Sequence, residues 1–363
     1  MLLGIDTGGT FTDFVLFHEG RMRIHKVLST PHAPEEAILQ GIRELGVPLE
    51  GLRIVHGSTV ATNAVLEGKG VRTALVTNRG FGDLMAIGRQ NRPRLYDLQP
   101  PPRPVAVPPE AVVEAATRTH ADGHTDPPLD TGELEAIRRR IEAIDPEAVA
   151  ICLLFSFLDE GEERRIAEAL GGARFVCRSS EVLPEYREYE RAVATWLNAS
   201  VGPLVSGYLG RLEGAVAPAA LQVMTSDGGT LPARRAGRHG VRLLLSGPAG
   251  GLRGALFLAE SAGEQRLMTF DMGGTSTDVA LLEGSISLTT EGHVAHWPVA
   301  VPQVEMHTIG AGGGSIAWID AGGALQVGPR SAGADPGPAC YGRGGAEPTV
   351  TDANLVLGRL PAD

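Results

Sequence analysis

Asp6-Thr-Gly-Gly-Thr-Phe-Thr-Asp13 is spelled again further along the chain as Asp271-Met-Gly-Gly-Thr-Ser-Thr-Asp278, and the two copies begin 271 − 6 = 265 residues apart. Both read D-x-G-G-T-x-T-D. Each is entered by an apolar run (Leu2 to Ile5; Leu267 to Phe270) and left by another (Phe14 to Phe17; Val279 to Leu282). Each therefore reads as a strand, a tight turn and a second strand. A glycine pair in such a turn lets backbone N–H groups converge on an anion without interference from Cβ, the threonine hydroxyls add donors, and the leading carboxylate suits a hydrated Mg²⁺. Asp followed by glycines is also ordinary hairpin punctuation. Repetition with matching flanks favours the phosphate reading and predicts two related domains facing each other across a nucleotide.

Composition places the rest. A chain of 363 residues, 43% of them hydrophobic, predicts two or three domains with a core in each. Its 48 glycines are nearly twice the usual share of roughly 7% and belong to backbone-lined loops. A formal charge of −11 without any Lys/Arg-rich run argues against nucleic acid as a partner. Anionic ligands must then be met locally. The first strand starts within three residues of Met1, and no apolar run approaches the roughly 18 residues of a membrane helix, so neither a signal peptide nor a membrane span is expected and the cytoplasm is the expected address. Cys152, Cys177 and Cys340 lack C-x-x-C spacing, which excludes a zinc ribbon or a disulfide framework. Cys152 lies in the apolar run Val149-Ala-Ile-Cys-Leu-Leu-Phe155 and reads as a core thiol, whereas Cys340 sits in a Gly/Pro loop where a thiol can meet substrate.

Strands alternate with helices along the chain. Arg21 to Leu28 reads as a third strand, Pro34 to Leu45 as an amphipathic helix, Arg53 to His56 as a short strand, and Thr59 to Glu67 as a helix capped by Ser58 or Thr59. Val71 to Thr77 is a strand again, and the Pro-rich passage from Arg92 to Pro109 is extended surface chain. Helices at Thr131 to Ala143 and Glu160 to Leu170 flank the Cys152 strand. A long helix follows from Tyr186 to Glu213, opened by Glu185-Tyr-Arg-Glu-Tyr-Glu-Arg191, whose i, i+3 and i+4 charges predict a solvated face. Leu221 to Thr225 and Leu243 to Leu245 read as strands, the second ending in Ser246-Gly-Pro-Ala-Gly-Gly251 ahead of a helix from Leu252 to Ser261.

The duplicated turn resembles the phosphate-1 and phosphate-2 loops of the actin-like ATPase superfamily. That resemblance implies an α/β fold of two ribonuclease-H-like domains around a nucleotide cleft, with Gly250 in a connecting helix just before the second turn. A series of motifs is more specific: His56-Gly-Ser-Thr-Val-Ala-Thr-Asn63, Gly88-Arg-Gln90 with Leu95-Tyr-Asp97, Tyr186-Arg-Glu-Tyr-Glu-Arg191, Met224-Thr-Ser-Asp-Gly-Gly229, Ser246-Gly-Pro-Ala-Gly250, Ile309-Gly-Ala-Gly-Gly-Gly-Ser315, Pro336-Gly-Pro-Ala-Cys-Tyr-Gly342 and Thr349-Val-Thr-Asp-Ala-Asn354. In this order, over nearly the whole chain, they resemble the hydantoinase A/5-oxoprolinase family. The resemblance implies an N-terminal family domain over 1–180 and a hydantoinase A domain over 181–363.

It also implies an activity, ATP-dependent hydrolysis of a cyclic amide such as a hydantoin or 5-oxoproline through phosphorylation of the carbonyl oxygen. Phosphoryl transfer needs positioning and charge neutralisation more than covalent help. ATP and Mg²⁺ are then the cofactors and a hydantoinase B-type subunit the expected partner. Asp6 and Asp271 are the candidates for the Mg²⁺ shell, with His307 as a further metal ligand or base. Gly8, Gly9, Thr10 and Thr12 in the first turn and Gly273, Gly274, Thr275 and Thr277 in the second are the phosphate contacts, with Gly250 as a further cofactor-binding candidate. Asp13 and Asp278 either orient these threonines or cap the second strand of their hairpins. His56 and Asn63 join the two aspartates as catalytic candidates, His56 with a purely structural role as the alternative. Thr59, Thr62, Arg89, Gln90 and Tyr96 are the substrate candidates.

Two motif readings fail. Gly310 to Ser315 is not a dinucleotide fingerprint, because serine stands in its last position, and no Walker P-loop occurs. In the resembled family the adenosine-binding glycine motif lies beyond the length reached here, so both phosphate turns without an adenosine pocket, and weak ATP binding by this chain alone, are the expectation. A small-molecule or acyl kinase on the same fold, and a non-catalytic remnant that binds a ligand or partner, are the alternatives. Which ring is opened depends on a few hydrogen bonds that one sequence does not place.

Overall fold

In the computed structural model residues 1–8, 11–30, 33–91, 96–99, 104–274, 276–333 and 336–361 are described. The chain forms two compact units, one of residues 1–250 with 288–303 and the other of residues 251–287 with 304–363.

The first unit opens with β1 (Leu2–Thr7), β2 (Phe11–His18) and β3 (Arg21–Leu28), followed by α1 (Pro34–Leu45), β4 (Arg53–Ser58) and α2 (Val60–Leu66). Alternation decides the faces of the meander. Leu3, Ile5, Phe14 and Leu16 point to the core while Leu2, Val15 and Phe17 point away from it. Next come β5 (Thr73–Asn78), α3 (Leu84–Ile87), β6 (Val112–Ala115), α4 (Thr131–Ile144), β7 (Ala148–Cys152), α5 (Gly161–Leu170), β8 (Phe175–Arg178) and α6 (Ser179–Val182). These strands make a second, all-parallel sheet in the order β6-β5-β7-β8. Every residue of β5 and β7 is buried, so their apolar runs are continuous rather than alternating, as strands covered on both faces require.

The long helix α7 (Glu188–Ala215) leads to β9 (Ala220–Met224), β10 (Thr230–Pro232), α8 (Ala233–Arg238) and α9 (Ser246–Ala262). Strand β9 runs parallel to β4, which runs parallel to β1, and the first sheet reads β10-β9-β4-β1-β2-β3. A three-stranded antiparallel meander continued by parallel strands is the ribonuclease-H-like pattern. The compact units divide the chain otherwise than at residue 180, because β9 completes a sheet begun at Leu2 and α7 packs between that sheet and the parallel one.

Helix α7 is buried almost all round from Arg191 to Gly202; in the stretch expected to be a solvated face, Glu185 to Arg187 are exposed and Glu188 to Glu190 half-buried, and Arg191 alone departs from it. Arg191 is fully buried. Its Nη2 donates to the Leu153 carbonyl at 3.2 Å and to the hydroxyls of Ser156 and Ser179, and Ser179 Oγ donates in turn to the equally buried Glu163 at 2.6 Å. The strand expected at Leu243–Leu245 is also absent. A 3-10 turn occupies Gly240–Leu243, and Val241 N donates to Asn198 Oδ1 of α7 at 3.2 Å. Three apolar residues are too few to choose a strand over a turn; packing against α7 chooses. Finally, Ser246-Gly-Pro-Ala-Gly-Gly251 opens α9 as expected, but as helix already from Ser246 rather than from Leu252. Pro248 fits a first turn, where its missing N–H has no partner to lose.

The second unit is built on β11 (Arg266–Met272) and β12 (Thr277–Glu283). The chain then returns to the first unit for β13 (Leu288–Thr289), β14 (Gly292–Val294), β15 (Trp297–Val299) and β16 (Gln303–Val304), whose last residue passes the division. In the second unit β17 (His307–Ile309) pairs antiparallel with β12, giving the meander β11-β12-β17, and β18 (Ser315–Ile319) and β19 (Leu325–Ser331) form a hairpin. The last helix, α10 (Val350–Val356), starts from a capping box of Thr349 and Asp352.

Candidate functional site

Both duplicated turns close in the same register. Asp6 stands opposite Asp13 and Asp271 opposite Asp278. The Gly8 N–H donates to the Phe11 carbonyl at 3.0 Å, and the Gly273 N–H donates to that of Ser276 at 2.8 Å. Gly9, Thr10 and Thr275 lie outside the described residues.

The second threonine of each motif is spoken for. Thr12 is fully buried, its Oγ1 3.0 Å from the Ser29 hydroxyl, which donates to the Gly8 carbonyl at 2.8 Å. Thr277 is buried as well, and its hydroxyl donates to the Ala311 carbonyl at 2.6 Å. Ser29 follows β3 and Ala311 follows β17, so in each unit the segment after the third strand braces the turn. Thr12 and Thr277 hold the turns from behind rather than offering hydroxyls to a ligand. Asp13 and Asp278 are likewise tied to the third strand, through Lys26 Nζ at 2.7 Å and the Thr308 hydroxyl at 2.7 Å.

In the second unit the loop Gly310 to Ser315 lies on the turn backbone to backbone. The N–H groups of Gly313 and Gly314 donate to the carbonyls of Gly273 and Gly274 at 2.9 and 2.6 Å, and the N–H and hydroxyl of Thr351 hold the Gly313 carbonyl from the other side at 2.8 and 2.9 Å. A Cβ on Gly312 would sit 2.6 Å from the Gly273 carbonyl oxygen, which explains the glycine there.

The leading aspartates are exposed, as are Phe11 in the first motif and Met272 to Gly274 in the second. Beside Asp6, strand β4 carries Gly57, and a Cβ there would lie 2.9 Å from Asp6 Oδ1. A missing side chain thus leaves room around one carboxylate oxygen. A hard oxygen donor with room beside it suits a hydrated divalent cation, so the Asp6 carboxylate fits Mg²⁺.

After β4 the chain turns into α2. His56 is fully buried in the sheet, with Nε2 2.7 Å from the Tyr208 hydroxyl of α7, and burial lowers its pKa to about 4. It is a neutral core histidine and has no access to a ligand. Thr62 accepts the Leu245 N–H at 3.0 Å, and Ser246 Oγ donates to the Ser58 carbonyl at 3.3 Å, so the start of α2 anchors the start of α9. Thr59 donates to the Thr7 carbonyl at 3.3 Å. Asn63 is exposed and reaches Thr59 Oγ1 at 3.4 Å.

Residues 2–172 match the family model for the hydantoinase/oxoprolinase N-terminal region and residues 191–363 the model for hydantoinase/oxoprolinase. The chain belongs to the hydantoinase/oxoprolinase family. The caprolactamase subunit alpha of Pseudomonas jessenii is 38% identical over 378 residues, covering 99% of this chain and 54% of that one. 5-Oxoprolinase 1 of Arabidopsis thaliana is 35% identical, covering 99% of this chain and 31% of its own. The crystal structure of ATP-dependent caprolactamase from Pseudomonas jessenii superposes with a TM-score of 0.84 at 37% identity, over 99% of this chain and 55% of that chain. A nucleotide-free acetone carboxylase structure follows at 0.78 and 28%, over the same shares of the two chains. This chain therefore spans about half the length of the first curated relative. The expected α/β fold of the actin-like ATPase kind is the one found.

Within this family member the remaining candidates scatter. Arg89 is locked to Glu190 of α7 by a bidentate pair, Nε to Oε1 at 2.8 Å; burial pushes the Glu190 carboxyl up, but the guanidinium outweighs it and holds the pKa down. Gln90 is exposed with φ of 54°, and Tyr96 is 96% exposed among the described residues. The passage expected to be extended from Arg92 to Pro109 lies partly outside the described residues. His307 is exposed on β17 opposite Val279, and among the described residues no three metal-ligating side chains converge. Gly250 lies in the opening of α9, its missing side chain facing Met224. Burial pushes the Cys152 and Cys177 thiols up to about 11 and about 12. Cys340 is exposed, but a hydrogen bond to Asp352 raises its pKa too, so it is not an activated nucleophile. Ser29 and Thr308 had no signal in the sequence, while Gly57, Glu190 and Thr351 stand inside the family motifs without a role assigned there, since each acts through a neighbour distant along the chain. No helix among the described residues is long and apolar enough to cross a membrane.

Proposed function

We propose that this chain is the nucleotide-handling part of an enzyme that uses ATP to open a small cyclic amide. The observation that carries the reading is the duplicated turn, braced in each unit from behind its buried threonine, with an exposed aspartate leading each copy. Gly8 and Gly273 would close the two turns through their N–H bonds to the Phe11 and Ser276 carbonyls, leaving Gly9, Thr10, Gly274 and Thr275 as the groups that would meet phosphate. Asp6 and Asp271 would each offer a carboxylate to hydrated Mg²⁺, which would neutralise charge on the phosphates.

The chemistry follows from the electrophile. An amide carbonyl is a poor target for water. Transfer of the γ-phosphoryl group to the carbonyl oxygen breaks the bond to ADP, forms a new P–O bond and leaves an imidate that water attacks readily, with release of phosphate. A hydantoinase B-type subunit would complete the hydrolysis, and a cytoplasmic address suits a reaction that consumes ATP. The names of the relatives, a caprolactamase subunit and 5-oxoprolinases, support the substrate class. The test is ADP formation by the chain together with such a partner, with and without hydantoin, 5-oxoproline or a simple lactam. ADP formation that no ring changes would sink the reading.

A further inference from the structure

A cavity of about 570 Å³ opens within the first unit, where the turn after α3, the start of α7 and the β14–β15 hairpin come together. That size holds one small ring and its substituents. The three segments are distant along the chain, so the cavity exists only in the folded unit.

Its chemistry is specific. Trp297 supplies a broad apolar face, and Arg187, Tyr189, His293, His296 and Glu291 add polar groups. Arg89 and Glu190 also line it but cancel one another through their bidentate pair. Arg187 is in no ion pair with a carboxylate among the described residues. Its backbone is left-handed, φ 77°, a conformation that a long side chain rarely adopts, at the N-cap of α7. The arginines and glutamates of the lining sum to zero charge, Arg89 and Arg187 against Glu190 and Glu291. The wall is nevertheless rich in N–H and O–H groups. Such a site matches an uncharged ring with carbonyl acceptors and an N–H that a carboxylate can accept. With Arg89 and Glu190 paired, the charges left over are Arg187 and Glu291, so the cavity holds no net positive charge for a ring that carries its own carboxylate, and Glu291 would repel it.

We propose that this cavity seats the ring: Arg187, His293 and His296 donate to the carbonyl oxygens of a small uncharged cyclic amide or imide, Glu291 accepts its N–H, and carboxylated rings are disfavoured. The class of ring rests on the ring-opening reading above; the location and the charge preference rest on the cavity.

Saturation-transfer NMR on the 363-residue chain, titrated with 2-pyrrolidinone, hydantoin and 5-oxoproline, tests it. The two neutral rings should bind, and 5-oxoproline at least about tenfold more weakly, a difference of about 1.4 kcal/mol. Arg187→Ala and His293→Ala, both at exposed positions, should each weaken the neutral rings about fivefold, the loss of one net hydrogen bond, while Lys69→Ala changes nothing. Ala86→Trp, which crowds the lining, should abolish binding. Neutral rings that bind the three cavity variants as well as the parent, a 5-oxoproline affinity equal to that of pyrrolidinone, or no binding of any ring would each overturn the proposal. Ring-stimulated ADP formation with an unchanged KM in these variants would remove the cavity and keep the ring-opening reading. Variant-sensitive binding of neutral rings without stimulated ADP formation would do the reverse.

Discussion

His56 Nε2 lies 2.7 Å from the Tyr208 hydroxyl, so a buried hydrogen bond joins the central strand β4 to helix α7. His56 has an ordinary pKa of 6.5 and one of about 4 in the folded chain, because burial disfavours the imidazolium. Between these values the unfolded chain binds more protons, so stability rises with pH there. The contribution is fully present above 6.5 and is lost as pH falls towards 4. Denaturant titrations should show a loss of about 3 kcal/mol across that window. Tyr208→Phe should cost about 1 to 3 kcal/mol at neutral pH by leaving Nε2 unpaired. A pH profile indifferent to His56→Gln would contradict the assignment.

Asp6 and Asp271 are exposed, so Asp6→Asn and Asp271→Asn should leave unfolding within about 0.5 kcal/mol of the parent. ATP turnover of the assembled enzyme should fall by about two orders of magnitude or more in both. Gly57→Ala provides a sharper check. The new Cβ meets only the end of the Asp6 side chain, at 2.9 Å, so the carboxylate must swing away while the backbone stays. Turnover should drop nearly as far as in Asp6→Asn without comparable destabilisation; full activity in Gly57→Ala would separate Asp6 from the metal.

Gly312→Ala should behave oppositely. Its Cβ would meet backbone, the Gly273 carbonyl oxygen at 2.6 Å, and backbone cannot rotate aside. A stability loss of about 1 to 3 kcal/mol is expected, with faster amide exchange at Gly313 and Gly314. Thr277→Val, which removes the hydroxyl bonded to the Ala311 carbonyl, should loosen the same amides at a cost of about 1 kcal/mol. Exchange rates equal to those of the parent in both variants would mean that the loop does not brace the turn.

Arg191 and Glu163 are both fully buried and share the Ser179 hydroxyl. Removing one partner strands the other, so Arg191→Met and Glu163→Gln should each cost about 3 to 5 kcal/mol. The double variant should cost much less than their sum, read as coupling in a double-mutant cycle. Additive costs would show that the two charges do not sense each other.

The chain spells out some of this protein by itself. The two D-x-G-G-T-x-T-D stretches with their apolar flanks specify two hairpins, because period-two alternation and a glycine turn are local properties. The helix at Pro34–Leu45 and the buried strand around Cys152 were legible for the same reason. Local pattern says nothing about what lies across a sheet or behind a turn. Thr12 and Thr277 read as ligand contacts until Ser29 and Ala311 arrive from after the third strands, and His56 reads as catalytic until Tyr208 covers it. Arg191 looks like part of a solvated stripe until α7 is enclosed on nearly every side. The gathering of Arg187, His293 and Trp297 around one cavity belongs to the tertiary structure alone. Hydrophobic periodicity sets which face of an element is buried, but hydrogen bonds between distant residues depend on where the packed elements bring them, and that register is decided only when the whole unit folds.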